Sequence, residues 1–266
     1  EGFWDYRDFH LNIYAAWVLK ARVHLHAGNK TGAYAIASSL LNGTMPGGGG
    51  ANFMTVFPSV RTLAENRRDP LAFTEVIFGM HDVDRSNVQR DNFSTDLLPE
   101  NVLLTGQTRF RGLFPNIIDT RRAYFLDASN YSATDSLKAI IKYQRGQLTG
   151  ADPYPYRYEM LPLITKAEVY LIAAETSDND ADKAGWLTLL RIERGYQQNN
   201  MDAFLTELDQ VLQDEYEREL YAGGQYVYFL KRNQKTSVPG QTGGNVALSD
   251  GKLTLPVPDA EDYNRQ

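Results

Sequence analysis

The chain contains no cysteine, which excludes disulfide bonds, thiolate metal sites and a thiol nucleophile. It has no run of about 18 consecutive apolar residues, the length that a membrane-spanning helix needs, and its N-terminus lacks the layout of a signal peptide. Basic residues form no cluster, and 27 Lys and Arg against 33 Asp and Glu give a net charge of −6, which argues against nucleic-acid binding. The 42% hydrophobic content is enough for a sizeable core in one large domain or two small ones.

Metal-binding patterns are missing as well. The four histidines do not have the spacing of metal ligands. Asp178, Asp180 and Asp182 alternate as at the start of a calcium-binding loop. Lys183 and Leu189, however, occupy the positions at which such a loop needs glycine and a bidentate glutamate. We therefore predict no metal site and no cofactor.

Catalytic patterns are weak. No glycine-rich phosphate loop and no nucleophile elbow occurs in the sequence. Glu215 and Glu219 lie one helical turn apart, as a glycosidase acid pair could, but a solvated charged face that includes Arg218 is the simpler interpretation. Glu168 and Glu175 lie on a mostly apolar segment, and we expect them to cap or bridge packed helices. We predict no catalytic residue.

Apolar residues recur at helical spacing in four segments, which form two pairs. The first pair covers residues 11–26 and 31–41, with a Gly-Asn turn between them. The second pair covers residues 163–175 and 181–196. Two helices joined by a short polar turn form an antiparallel hairpin, so the sequence predicts two helix hairpins.

Two further signals concern the helices. Trp17, Ala21 and Ala33 have the spacing of the large and small positions of a tetratricopeptide unit, where small residues let two helices approach closely. Residues 201–221 predict another amphipathic helix, which the pair Gly223-Gly224 ends.

The residues between the two pairs, from 43 to 152, lose helical periodicity and gain turn signals such as the glycine run at 47–50. So long an irregular stretch is uncommon in a compact domain and is more often functional than decorative. We expect much of any ligand site to lie here. Within it, residues 73–80 (FTEVIFGM) are predicted as a short strand or a buried helix.

Saccharide binding needs aromatic faces and planar polar groups, because sugar C–H faces pack on rings while hydroxyls bond to Arg, Asn and Asp. The chain has 16 Tyr, 12 Phe and 3 Trp, and several of them stand beside such polar residues in the irregular stretch. The competing interpretation is that these aromatics anchor irregular backbone to the core. The candidate ligand-binding residues are Arg109, Phe110, Phe114, Asn116, Tyr124, Tyr131, Tyr154 and Tyr156.

Three blocks of sequence carry a family resemblance. They read LPLITKAEVYLIAAE at residues 161–175, DEYERELYAGGQYVYFLKR at 214–232 and LPVPDAEDYN at 255–264. In this order they resemble the SusD/RagB family, the glycan-capturing lipoproteins on the surface of Bacteroidetes outer membranes. Weaker matches are an Asp-x-Arg turn at 119–121 and a Lys-Tyr strand end at 142–143.

The chain departs from the family pattern at four positions. Thr165 stands where the family has Arg. Gly223, Tyr226 and Phe229 stand where it has Glu, Arg and Asp, so three charges are lost together. We expect this to be a divergent member in which the partner residues have changed too.

The resemblance, together with the two predicted hairpins, implies an all-α fold. It consists of tetratricopeptide-like antiparallel helix hairpins with a long irregular, loop-rich insertion and few short strands. It also implies a single SusD-like domain over residues 1–266. The parts of this domain are the helix hairpin 11–42, the irregular ligand-facing region 43–160, the helical region 161–232 and the C-terminal tail 233–266.

The resemblance further implies a non-catalytic protein that binds glycan or oligosaccharide nutrients at the cell surface. It would deliver an oligosaccharide or polysaccharide to a SusC-like TonB-dependent transporter in the outer membrane, with no nucleic-acid partner. Full family members are longer and are attached to the membrane by a lipid on a cysteine, so we expect the anchor to lie upstream of Glu1. The alternative is a helical-repeat protein-interaction scaffold without carbohydrate binding. A concave aromatic pocket in residues 43–152 would favour the first function, and a bare helical groove the second.

Overall fold

The computed structural model describes residues 11–48, 50–59, 69, 71–82, 84–94, 103–127, 137–143, 159–197, 207–240, 244–248 and 253. The α-helices in these ranges are α1 (Ile13–His26), α2 (Lys30–Leu41), α3 (Phe53–Val56), α4 (Arg85–Phe93), α5 (Gln107–Leu113), α6 (Lys166–Thr176), α7 (Asp180–Glu193), α8 (Leu208–Leu220) and α9 (Tyr226–Arg232). The strands are β1 (Val76–His81), β2 (Leu104–Thr105), β3 (Phe125–Asp127), β4 (Lys138–Ile140), β5 (Met160–Thr165), β6 (Ser237–Pro239) and β7 (Asn245–Ala247). The predicted fold class, helical with few short strands, is confirmed.

The first helix hairpin is formed by α1 and α2, as predicted. The side chain of Asn12 caps α1 by accepting a hydrogen bond from the amide of Ala15 (2.9 Å), and Asn29 caps α2 in the same way. Ala21 and Ala33 are both buried between the helices. Their small side chains allow the close approach that the tetratricopeptide spacing predicted.

Helix α6 is the centre of the helical part. All 11 of its residues are buried, and it packs against α1, α2, α7 and α8. A helix that is surrounded on every side has no polar face, and its few charged residues must find partners in the interior. The second predicted hairpin, α6 with α7, is thereby confirmed. Its predicted start was wrong, because residues 163–165 are extended and pair with β1 as part of β5.

The strands form three small antiparallel sheets. β1 pairs with β5, with Val76 opposite Thr165 and His81 opposite Met160. A three-stranded sheet has the order β2-β4-β3, and β6 pairs with β7. The segment 73–80, predicted as a strand or a buried helix, begins with one 3-10 turn (Phe73–Glu75) and continues as β1.

Among the described residues, two groups of buried side chains form the core. The helical core joins α1, α2, α6, α7, α8 and α9. The phenylalanine core belongs to the irregular region, and its centre is Phe110, Phe114 and Phe125, whose ring centroids lie 5.3 to 5.5 Å apart. Aromatic rings at such distances pack edge-to-face or tilted and add to the burial energy. The irregular region therefore has a core of its own beside α8.

Helix α8 begins at Leu208 and ends at Leu220. The first part of its predicted range, residues 201–206, lies outside the described residues. The predicted glycine pair follows the helix end in a turn, where Ala222 (φ 57°) and Gly224 (φ 73°) have left-handed backbone. This turn leads into α9. In the ranges that the structure describes, no helix is both long and apolar enough to cross a membrane.

Candidate functional site

Two of the predicted ligand-binding aromatics, Phe110 and Phe114, belong to the phenylalanine core. Phe114 is fully buried and Phe110 is 4% exposed. The guanidinium of Arg122 lies over the ring of Phe110, 4.8 Å from its centroid. Rings inside a core leave no face for a sugar, so we correct the predicted role of these two residues: they anchor the irregular backbone.

Arg109 and Asn116 also have structural partners. The guanidinium of Arg109 forms an ion pair with Glu217 of α8, and both side chains are only slightly exposed. The side-chain oxygen of Asn116 accepts a hydrogen bond from the amide of Ile118 (3.1 Å) and so shapes a turn. Of these two predicted residues, Arg109 is the one whose partner, Glu217, lines a surface recess described below.

Tyr124 ends the short 3-10 helix Thr120–Tyr124 and packs against the phenylalanine core. Burial raises the pKa of its hydroxyl, which fits an interior position. The other three predicted tyrosines, Tyr131, Tyr154 and Tyr156, lie outside the described residues, and their role in ligand binding stays a prediction.

Glu215 and Glu219 belong to a buried ion network, and the prediction of a solvated charged face was wrong. Arg121 donates from one nitrogen, Nη1, to both Glu215 (2.7 Å) and Glu219 (2.8 Å). Its Nη2 pairs with Asp119 (2.7 Å), and Arg218 shares Glu215 (2.7 Å). Charged side chains tolerate burial when each meets an opposite charge. The Asp-x-Arg turn, a weak match at the level of sequence, thus attaches the irregular region to α8.

Two more arginines extend this network to the C-terminal end of α7. Arg191 donates to Glu215 (2.7 Å), and Arg194 reaches both Glu219 (2.6 Å) and Glu75 (2.7 Å). Burial opposes the charge on Glu215, but the guanidinium groups around it prevail and hold its pKa well below the ordinary value. A glycosidase acid needs a raised pKa, so Glu215 is unsuited to that role. Within the described residues, no group of three or more His, Cys, Asp or Glu side chains is placed to hold a metal ion.

The two acids of α6 bridge helices, as predicted. Glu168 receives hydrogen bonds from Nε (2.7 Å) and Nη2 (2.6 Å) of Arg22 on α1. Glu175 receives two from Arg232 at the end of α9 (both 2.8 Å) and one from Asn233 (2.9 Å). Burial opposes the charge on Glu175, but the bonds from Arg232 outweigh it and lower the pKa of this carboxyl. Both acids therefore have a structural role.

A recess of about 280 Å³ opens at the corner between the end of α8 and the start of α9. Its walls are mostly apolar, with two tyrosine rings and one carboxylate. The residues that line it are Glu217, Leu220, Tyr221, Ala222, Gly224, Tyr226 and Val227. We call this feature the corner recess.

Residues of the irregular region form hydrogen bonds and an ion pair with the walls of the corner recess. The hydroxyl of Tyr143 donates a hydrogen bond to the carbonyl of Ala222 (2.8 Å). The hydroxyls of Thr105 and Tyr221 share another hydrogen bond, and Arg109 pairs with the carboxylate in the lining. Three separate elements of the irregular region therefore fix the walls.

The groups at the corner recess carry little net charge, because Arg109 compensates Glu217. Burial raises the pKa of Glu217, although Arg109 opposes this shift. Burial, and then the charge of Glu217, raise the pKa of the Tyr226 hydroxyl, which stays protonated at neutral pH. The recess thus combines aromatic walls with hydroxyls and a charge-compensated carboxylate, a set of groups suited to an uncharged ligand with both polar and apolar faces.

The sequence predicts the ligand site in the irregular region 43–160, and the corner recess lies outside this range. A signal was present in the departures from the family pattern. Tyr226 lines the recess, and Gly223 lies in the turn beside it. Phe229, at the position of the third lost charge, packs on Tyr216 in the helical core with ring centroids 4.1 Å apart. Two of the three positions that lost a charge thus hold a tyrosine that lines the recess and a phenylalanine that packs in the helical core.

Comparisons with known proteins bear on the fold. No protein-family model and no curated protein sequence matches the chain. A SusD superfamily protein from Bacteroides thetaiotaomicron matches with a TM-score of 0.70 and 18% identity, covering 96% of this chain and 59% of that one. A SusD-like carbohydrate binding protein from Bacteroides vulgatus matches with a TM-score of 0.65 and 15% identity, covering 99% and 60%. Surface glycan-binding protein A from Bacteroides thetaiotaomicron matches with a TM-score of 0.63 and 16% identity, covering 98% and 64%.

The chain therefore has the fold of SusD-like proteins, and the fold implied by the sequence resemblance is confirmed. It spans about three fifths of the length of these solved structures. At such identities the likeness establishes the fold alone, because one fold can host different ligand sites.

Proposed function

We propose that this protein binds a glycan or oligosaccharide without cleaving it. The observation that carries the proposal is the SusD-like fold, which extends over nearly the whole chain and is shared with solved proteins named as carbohydrate-binding and glycan-binding. The corner recess supports it, because aromatic rings beside hydrogen-bonding groups suit the mixed surface of a sugar.

The proposed lack of turnover is supported by the state of the buried acids. Glycoside hydrolysis requires an acid that keeps its proton near neutral pH and a second carboxyl about 5 to 10 Å away. Glu215, Glu219 and Glu175 are each held by at least one guanidinium, and the pKa values of Glu215 and Glu175 are lowered. These three carboxyls are unsuited to the role of proton donor, and Glu217, whose pKa burial raises, is paired with Arg109.

We also propose that the whole protein acts at the cell surface. It would be attached to the outer membrane by a lipid anchor outside this chain and would deliver glycan to a SusC-like TonB-dependent transporter. Two observations support this: one structural relative is named a surface glycan-binding protein, and the three sequence blocks resemble a family with that role.

The proposed function is tested by affinity gel electrophoresis of the purified chain. Native gels would contain starch, laminarin, galactomannan, xylan or polygalacturonate, and a protein of similar isoelectric point that binds no sugar would run beside it. The expected result is retardation by at least one polysaccharide, while chromatography of the same incubation finds no shortened product. Normal migration in every gel would contradict the proposal, and released oligosaccharides would show a hydrolase instead.

A second candidate, the protein-interaction scaffold, is favoured by one specific observation. The outer face of α1 leaves Ile13 and Val23 more than half exposed, with Leu19 close to half. Apolar side chains grouped on an exposed face are typical of contact surfaces. If this face drives association of copies of the chain, sedimentation should show oligomers that a double substitution, Ile13→Lys with Val23→Lys, disperses. A monomer at all concentrations would remove this support.

A further inference from the structure

We propose that the corner recess is a saccharide subsite that binds one uncharged sugar ring of a glycan. This inference rests on the proposed function and assigns it a place in the molecule. It concerns residues 217–227, which lie outside the region that the sequence indicated for ligand binding.

The size and the lining of the recess match one sugar ring. Small-molecule pockets commonly measure about 300 to 1,000 Å³, so a recess of about 280 Å³ is near the lower limit. The apolar surface comes from Leu220 and Val227 and from the rings of Tyr221 and Tyr226. The C–H face of a pyranose can pack on such a wall while its hydroxyls point away from it.

The polar groups at the wall can meet sugar hydroxyls. Glu217 is 12% exposed at its side chain and lines the recess. A carboxylate accepts about four hydrogen bonds, so the ion pair with Arg109 leaves capacity for hydroxyl donors.

The same pair argues for an uncharged sugar. Arg109, behind the wall, compensates the charge of Glu217, so an anionic sugar would bring an unbalanced negative charge beside a carboxylate that is largely removed from water. The raised pKa of Glu217 agrees with this, because the site already disfavours negative charge. Uronic acids and sulfated sugars should therefore bind more weakly than neutral ones.

A second recess, of about 220 Å³, shows why the corner recess is preferred. It is polar and is lined by Gln210, Gln213, Lys235, Thr236, Ser237, Pro239 and Asn245. No aromatic ring is among these residues, so the C–H face of a sugar would have no partner there. The corner recess offers both kinds of contact.

The walls are also held before any ligand binds. Tyr143 and Thr105 fix the turn and the ring of Tyr221 by hydrogen bonds, and Lys142 Nζ lies 3.4 Å from the carbonyl oxygen of Glu219. A site whose groups are already ordered loses less conformational entropy on binding. This makes a single-ring subsite energetically plausible despite its small area.

A substitution at Ala222 tests the proposal. This residue lines the recess, is exposed, and has φ 57°, a backbone conformation that Asn and Gly adopt more readily than other residues. Ala222→Asn adds a side chain at the recess without adding backbone strain. The control variant changes a residue outside the lining. Tyr228→Ala removes an exposed aromatic of α9 that is not part of the lining.

The probes are neutral gluco-, manno- and xylo-oligosaccharides and, as the anionic counterpart, oligogalacturonate, titrated into the wild type and each variant by calorimetry. Thermal melting would first establish that all variants are folded. We expect Ala222→Asn to weaken binding of the neutral probe by about tenfold or more, while binding by Tyr228→Ala stays within about twofold of wild type.

The outcomes separate this inference from the proposed function. If the wild type binds a probe and Ala222→Asn binds it equally well, the recess is not the subsite, but the glycan-binding function stands. If oligogalacturonate binds more tightly than every neutral probe, the assignment to an uncharged sugar is overturned. If the wild type binds none of the probes, the proposed function fails and the subsite fails with it.

Discussion

The helical part and the irregular part of this molecule bury their surfaces by different means. The hairpins pack through apolar residues and alanines around α6, which is buried on every side. The described residues of the 103–143 stretch attach to α8 through the phenylalanine core and the arginine–carboxylate network. The first arrangement repeats along a helix and can be predicted from periodicity. The second depends on which charged residues meet in space.

Burial of apolar surface and burial of charge also differ in free energy. Apolar burial is favourable by itself, at about 25 cal/mol for each Å² removed from water. A buried charge is unfavourable unless its partner is present. A network such as that around Arg121 therefore favours one arrangement of the chain over others more than it raises the free energy of unfolding. The irregular region should therefore be sensitive to the loss of any one partner.

The largest effect is expected for Arg121→Met. The substitution leaves Asp119, Glu215 and Glu219 without their shared cation, and we expect the free energy of unfolding to fall by about 3 to 5 kcal/mol. Urea unfolding followed by circular dichroism measures it. The control is Lys183→Met, which removes an ion pair with the largely exposed Asp209 and should change stability by less than about 1 kcal/mol. Equal losses in the free energy of unfolding from the two substitutions would contradict the distinction between the buried network and an exposed ion pair.

A smaller effect is expected in the helical part from overpacking. Ala37 is fully buried on α2, which packs against α1 and α6. Ala37→Leu should lower the free energy of unfolding by about 1 to 3 kcal/mol, because the added atoms push packed helices apart. Ala35→Leu on the exposed face of the same helix should change it by less than about 0.5 kcal/mol. If Ala37→Leu were neutral in urea unfolding, α2 would not be closely packed.

A pH-dependent effect is expected at Lys142. Burial, opposed by the charge of Glu219 and aided by that of Arg194, lowers the pKa of Lys142 to about 8 from its ordinary 10.5. Between these pH values the unfolded chain binds more protons, so the wild type gains stability as pH rises, and Lys142→Met lacks this gain. The stability of the variant relative to wild type should thus fall by about 1 to 2 kcal/mol between pH 7 and pH 10. A difference that stays constant in urea titrations across this range would contradict the lowered pKa.

The smallest effect concerns the turn at the corner recess. Ala222 has left-handed backbone, which disfavours a Cβ atom, so Ala222→Gly should raise the free energy of unfolding by about 0.5 to 1 kcal/mol. Ala35→Gly, in the regular helix α2, should lower it by about the same amount. Two changes of the same sign in thermal or urea unfolding would show that the turn is not strained.

Much of the fold can be predicted from the sequence because apolar residues recur at a regular spacing along a helix. Apolar spacing in residues 11–26 and 31–41 predicted the first hairpin, and the two acids of α6 were correctly interpreted as bridges between helices. Residues 163–165 were assigned to a helix because their apolar character fits either structure, and only pairing with β1 makes them extended.

The site was harder to predict because burial is a property of the whole fold. Phe110 and Phe114 stand beside arginines in a turn-rich stretch, and local sequence cannot distinguish a sugar platform from a small core. Glu215 and Glu219 have the spacing of a charged surface, while their partners Arg121 and Arg194 are distant in sequence or on another helix. Tyr226 was noticed only as a lost charge, although it lines the corner recess.

The central claim, that this SusD-like fold binds saccharide without cleaving it, is tested most directly by isothermal titration calorimetry. The purified chain would be titrated with the neutral oligosaccharides, and the cell contents would then be analysed by chromatography. The account predicts a saturable heat of binding for at least one oligosaccharide, recovered at its original length. Shortened products, or no binding by any of them, would contradict it.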